Sequence, residues 1–92
     1  MIKSIRHKGL KRLWEKGQKS GLPPQQIPRI TRMLSVLHNA SAVEDLNLPG
    51  YYLHPLKGQD KGRYSIRVTG NYRLTFEFKD GDAYVLDHED YH

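Results

Sequence analysis

Tyr72–His92 reads YRLTFEFKDGDAYVLDHEDYH: two alternating runs, Tyr72–Lys79 and Asp82–His88, joined by Asp80-Gly81. An Asp-Gly pair between alternating runs predicts a hairpin, because a type I′ turn needs positive φ at both central residues. With Asp80-Gly81 as the loop, Lys79 pairs with Asp82, Phe76 with Val85 and Arg73 with His88. Cross-strand partners share a face. One face then carries Tyr72, Leu74, Phe76, Phe78, Ala83 and Val85, and it is apolar. The other carries Arg73, Thr75, Glu77, Tyr84, Leu86 and His88, and it is mostly polar.

The run before it, Arg63–Val68, alternates as well. Taking Thr69-Gly70-Asn71 as a three-residue loop pairs Val68 with Tyr72, Ile66 with Leu74 and Tyr64 with Phe76. This second register is independent of the first, yet it puts Tyr64, Ile66 and Val68 on the same apolar face. A slip of one residue would invert every side chain, so the agreement supports a three-strand meander. Tyr51–His54 reads as a further short strand closed by Pro55, and Gly58–Gly62 as a polar turn.

Towards the amino end, Leu10, Leu13 and Trp14 fall at i, i+3, i+4, predicting a short helix over His7–Lys16 with Gly17 as its stop. Ile27, Ile30, Met33, Leu34 and Leu37 make the stripe of a second helix, with Arg29 and Arg32 on its other side. Pro28 fits only a first turn, so this helix starts at Gln25 or Gln26. Met1–Ile5 alternates weakly, as a short edge strand does, and Asn39–Gly50 reads as a loop. Two amphipathic helices have one apolar sheet face to cover. The expected architecture is α+β, with two N-terminal helices packed on one side of a small, mainly antiparallel sheet, in one domain over residues 1–92.

With 92 residues, 37% hydrophobic, and a mean hydropathy of −0.74, the core is modest. No run of about 18 apolar residues offers a membrane span. The basic start lacks the apolar segment of a secretion signal. The absence of cysteine removes disulfides, zinc-thiolate sites and thiol nucleophiles, and suits a cytoplasmic protein. A net charge of +5 fits either plain solubility or a polyanionic partner. Placement favours the partner. Arg63, Arg67 and Arg73 lie on the uncovered face, with Lys57 and Asn71 in adjoining loops, and Arg67 comes out directly opposite Arg73. Like charges in that position destabilise a sheet, which suggests an anionic ligand.

The five histidines separate. His7 and His38 read as surface residues, and His88 as structural or substrate-lining. His54 precedes Pro55 at a strand end, and His92 closes the chain. His54, Asp90 and His92 beside a basic face are what phosphodiester cleavage without a metal uses. One imidazole takes the ribose 2′-OH proton, another group protonates the leaving 5′-oxygen, and Arg or Lys stabilises the phosphorane. Asp90 can orient a histidine, and Tyr91 offers a phenol or a stacking ring. His88, Asp90 and His92 on one strand face form a competing metal site, ranked lower because nearby arginines oppose a cation.

HKGLKRLWEKG (His7–Gly17), LHPLKG (Leu53–Gly58), NYRLTFEF (Asn71–Phe78) and GDAYVLDHEDYH (Gly81–His92) together resemble the HigB-type toxins of the RelE/ParE-like superfamily, over essentially the whole chain. The resemblance implies a RelE-like fold and a ribosome-dependent messenger RNA interferase acting in the ribosomal A site beside 16S rRNA. It implies neutralisation by a HigA-type antitoxin with a helix-turn-helix domain, no cofactor or metal, and a 2′,3′-cyclic phosphate product. It places catalysis on His54, Asp90, Tyr91 and His92, with Lys57, Asn71 and Arg73 as supporting positions; Arg67 joins these from the face itself. Base and acid are interchangeable between His54 and His92 on this pattern, with His54 as base and His92 as acid the expected assignment. Two other readings predict different behaviour. A ParE-like gyrase poison would keep its toxicity without either histidine, and a plain RNA-binding module would bind RNA without cutting it.

Overall fold

The computed structural model describes residues 1–58 and 62–91. Helix α1 spans Lys8–Lys16 and α2 spans Ile27–Asn39, entered through a 3-10 turn at Pro24–Gln26. A second 3-10 turn, Val43–Leu46, lies in the connection to the sheet. Strands β1 (His54–Pro55), β2 (Arg63–Thr69), β3 (Tyr72–Lys79) and β4 (Asp82–Asp90) form one sheet in the order β1-β2-β3-β4. Every pairing is antiparallel. The α+β expectation holds.

The helices form where the stripes require. Leu10 and Leu13 are buried and Trp14 half-buried, and Gly17 adopts the left-handed C′ conformation (φ 69°), its N–H reaching the carbonyls of Arg12 and Leu13. All five apolar positions of α2 are buried, with Pro28 in its first turn. These side chains close over Ile66, Val68, Leu74, Phe76, Ala83 and Leu86 on the sheet. A fully buried Leu or Ile contributes about 1.5–3 kcal/mol, so this one layer carries most of the stability. The first turn of α1 also lies against the loop before α2. A Cβ on Gly9 would sit 2.3 Å from the Gly21 carbonyl oxygen, a contact only glycine permits.

Asp80 (φ 52°) and Gly81 (φ 80°) both take the positive φ of the expected turn, and Lys79 faces Asp82. Three pairs on, the ladder slips. Glu77 faces Tyr84, but Thr75 faces Asp87, so Val85 and Leu86 together oppose Phe76. Val85 is the extra residue, at φ 51°, a left-handed conformation a β-branched side chain rarely adopts. The expected pairs Phe76–Val85 and Arg73–His88 are therefore wrong. Downstream of the bulge every side chain changes face. Leu86 and His88 go to the helix side, while Asp87 and Glu89 come to the open side opposite Thr75 and Arg73. Between β2 and β3, Thr69 faces Tyr72, so the loop is Gly70-Asn71 and Val68 is bulged rather than paired with Tyr72. The pairs Tyr64–Phe76 and Ile66–Leu74 stand as expected.

Met1–Ile5 does lie along a sheet edge, and it covers β4 through parallel bridges Ile2–Ala83 and Ile5–Leu86. Ser4 anchors the bulge by accepting the Val85 N–H on its Oγ at 2.8 Å. The two histidines read as surface residues each hold structure. His7 Nδ1 accepts the Leu10 N–H and caps α1, while His38 Nδ1 accepts the Ile2 N–H. Arg29, placed on the outer side of α2, instead points inward. Its guanidinium donates to the carbonyls of Gly50 (2.7 Å) and Arg67 (3.1 Å), tying the connecting loop to β2.

Candidate active site

The side of the sheet away from the helices is built by rows of residues facing across strands. His54 faces Ser65, which faces Thr75, which faces Asp87. The neighbouring row runs Arg67, Arg73, Glu89. His54 is exposed, as are Lys57 and Asn71. Nothing from the helices covers His54, and it lies on the same face as Arg67, two residues from its own partner on β2.

Arg67 and Arg73 are directly opposite, as the sequence implied. The repulsion is relieved by divergence. Arg67 lies over the ring of Tyr52 at 5.5 Å and Arg73 over the ring of Tyr91 at 5.8 Å. Among the described residues, neither guanidinium is within ion-pair distance of a carboxylate. Tyr91 is held to the same patch by its backbone N–H, which donates to the Asn71 carbonyl at 2.8 Å. The structure thus gathers Arg67, Asn71, Arg73 and Tyr91, with His54 on the same face. Asp90 pairs with Tyr72 and belongs to the helix-side row, at its exposed end. His92, the expected acid, lies outside the described residues.

The bulge adds residues that strict alternation misses. Arg63 donates to Thr75 Oγ1 at 3.2 Å, and Thr75 donates to Glu89 Oε2 at 2.5 Å. Together with Arg6, Leu56, Asp87 and Tyr91, Arg63 and Glu89 line an open depression of about 230 Å³. The face is therefore mixed in charge rather than purely basic. Among the described residues, Arg67 and Arg73 are two of its cations that no carboxylate holds within ion-pair distance, and they lie directly opposite each other. Tyr52 is a further missed residue. Alternation could not have found it, because its left-handed backbone (φ 49°) lies outside β1; the Arg67 guanidinium over its ring at 5.5 Å is what places it here.

His88 occupies the opposite side. Its Nε2 bonds Gln26 Oε1 at 2.8 Å, its ring stacks on Tyr72 at 5.1 Å, and His7 meets it edge-on at 5.4 Å. These engagements remove it from the open face and from the metal set His88–Asp90–His92, whose third member lies outside the described residues. Burial, then the neighbouring His7, holds its pKa below the ordinary histidine value, against the pull of Asp87 and Asp90. An unfolded chain takes up this proton near pH 6.5, whereas the folded one resists until lower pH. Stability therefore falls as pH drops below about 6.5. The melting temperature is expected to decline from about pH 7.5 to 5.5, and more shallowly in His88→Gln.

The model of a family described as RelE-like toxin of type II toxin-antitoxin system HigB matches residues 3–92. A protein of Proteus vulgaris named "Endoribonuclease HigB" is 52% identical over 92 residues, covering 100% of both chains. "Toxin HigB-1" of Vibrio cholerae serotype O1 is 36% identical over 85 residues, 90% of each chain. Among solved structures, a point mutant of YafQ from E. coli superposes with a TM-score of 0.64 at 22% identity. That superposition covers 98% of this chain and 91% of YafQ, and speaks to the fold.

Proposed function

Since the chain belongs to the HigB-like family of RelE-like toxins of type II toxin–antitoxin systems, we propose that it is an endoribonuclease cutting messenger RNA in the ribosomal A site. An antitoxin of the HigA type restrains it, and its work on the ribosome puts it in the cytoplasm. Among the described residues no helix is long and apolar enough to cross a membrane. The observation that carries the reading is the pair Arg67 and Arg73, which no carboxylate among the described residues holds within ion-pair distance and which share a face with exposed His54 and Tyr91. A phosphodiester laid over that pair presents its ribose to an imidazole.

The reaction needs no group beyond these side chains. His54 removes the 2′-OH proton, and the 2′-oxygen attacks the adjacent phosphorus. The bond from phosphorus to the 5′-oxygen breaks, and the leaving oxygen takes a proton from His92. The products are a 2′,3′-cyclic phosphate and a 5′-hydroxyl. Arg73 and Lys57 offset the charge that builds on the phosphorane, where fixed cations act most strongly. Asp90 orients the His92 imidazole, Tyr91 packs beside the reacting nucleotide, and Arg67 and Asn71 bind the flanking backbone. A full-length relative named an endoribonuclease favours this chemistry over gyrase poisoning.

The test is to express the chain in cells and map the 5′ ends of messenger RNA. Cuts in phase with codons, absent from the His92→Ala protein, support the reading. Growth arrest without such cuts, or cuts that persist in the variant, overturns it.

A further inference from the structure

We propose that Tyr52 is a nucleobase-stacking residue, the second ring of a two-base platform whose first is Tyr91. The class of ligand, single-stranded RNA, rests on the ribonuclease reading above; the platform itself rests on the following geometry.

Tyr51 and Tyr52 are adjacent and have opposite fates. Tyr51 is buried, with Arg29 over its ring at 5.5 Å. Tyr52 is 64% exposed, and its backbone sits at φ 49°. A bulky residue in the left-handed region is a strained outlier, and outliers of this kind cluster at ligand-binding sites. An exposed ring on a strained backbone is doubly unfavourable in the free protein, and a base that covers the ring removes one of those costs. The surroundings hold it there. Tyr51's carbonyl accepts the Arg67 N–H at 2.7 Å, and Arg29 fixes the loop through Gly50 and Arg67 from below. Arg29 Nε is buried without a hydrogen-bond partner among the described residues, so that anchor is maintained at a cost of its own.

Across the sheet the order is ring, cation, cation, ring: Tyr52, Arg67, Arg73, Tyr91. Two bases stacked on the outer rings would span a phosphate above the two guanidinium groups. Aromatic rings interleaved with cations are how single-stranded nucleic acid is held irrespective of sequence. Each guanidinium lying against a ring also keeps that ring's orientation before the RNA arrives.

The test measures binding of a short fluorescein-labelled oligoribonucleotide at low salt to the wild type, Tyr52→Phe, Tyr52→Ala and Tyr52→Asn. Loss of a stacking ring is expected to weaken affinity by about 5- to 150-fold in the Ala and Asn proteins, with Phe close to wild type. Asn tolerates the left-handed backbone, so Tyr52→Asn should melt no lower than wild type while binding as poorly as Ala. Wild-type affinity in Tyr52→Ala overturns the proposal, as does weak binding in Asn that only follows a lowered melting temperature. So does the absence of measurable binding by the wild type. Retained RNA affinity with lost antitoxin affinity would give the ring to the partner protein instead and also overturn it. Cleavage of ribosome-bound message is followed in parallel. A wild type that binds the oligoribonucleotide through Tyr52 but never cuts sinks the nuclease reading and leaves the platform standing.

Discussion

His54→Ala is expected to lower single-turnover cleavage of ribosome-bound message by about 10²–10⁴-fold, the usual worth of positioned acid–base help. The loss should fall on the chemical step. His54 is exposed on a two-residue edge strand and supports no described helix or core residue, so the variant should melt with the wild type. On the proposed reading, affinity for programmed ribosomes should hardly change, because Arg67 and Arg73 remain. Arg73→Ala is expected to give the contrasting pattern, with weaker binding and slower chemistry together, since the proposed mechanism uses its guanidinium for both. Quantifying cleaved message under ribosome excess separates the two. A His54→Ala rate within about threefold of wild type would move the base role to another group.

The second large effect concerns the fold. Phe76 is fully buried, stacks against Tyr64 at 6.1 Å, and sits opposite the two residues of the β4 bulge. Phe76→Ala is expected to cost about 3–5 kcal/mol, transfer and cavity terms together. For a domain of this size each kcal/mol is worth about 4–8 °C, so the melting temperature should fall by about 12 °C or more. Thermal unfolding followed by circular dichroism measures it. Phe78→Ala, at a half-buried position, should cost clearly less. Equal effects would mean that the layer between helices and sheet is not where the stability lies.

Much of this was legible in the letters. The stripe of α2, the stop at Gly17, the turn at Asp80-Gly81 and the opposition of Arg67 to Arg73 all follow from local rules of period, turn chemistry and capping. The misreadings share one physical cause. Period-two reasoning assumes one residue opposite one, and nothing in Ala83–Leu86 announces that two will oppose Phe76. The bulge depends on an anchor far along the chain, the Ser4 hydroxyl, which no local window contains. From it followed the false exposure of His88 and the overlooked Asp87 and Glu89. His38 and Arg29 were misjudged for the related reason that their partners lie in distant segments, whereas His7 caps its own helix through Leu10, three residues on. His54, Asp90, Tyr91 and His92 were read from the chemistry of phosphodiester cleavage and from family resemblance together, and the sheet register sets His54 and Tyr91 on one face.

The extra residue at Val85 works like a phase marker. Anyone grafting the end of β4 from a related toxin must count from that marker rather than from the hairpin tip. A splice that is even in length but crosses it would deliver the donor's tyrosine to the hydrophobic side and its neighbouring acid to the open face, a chimera correct letter by letter and mirror-wrong in space.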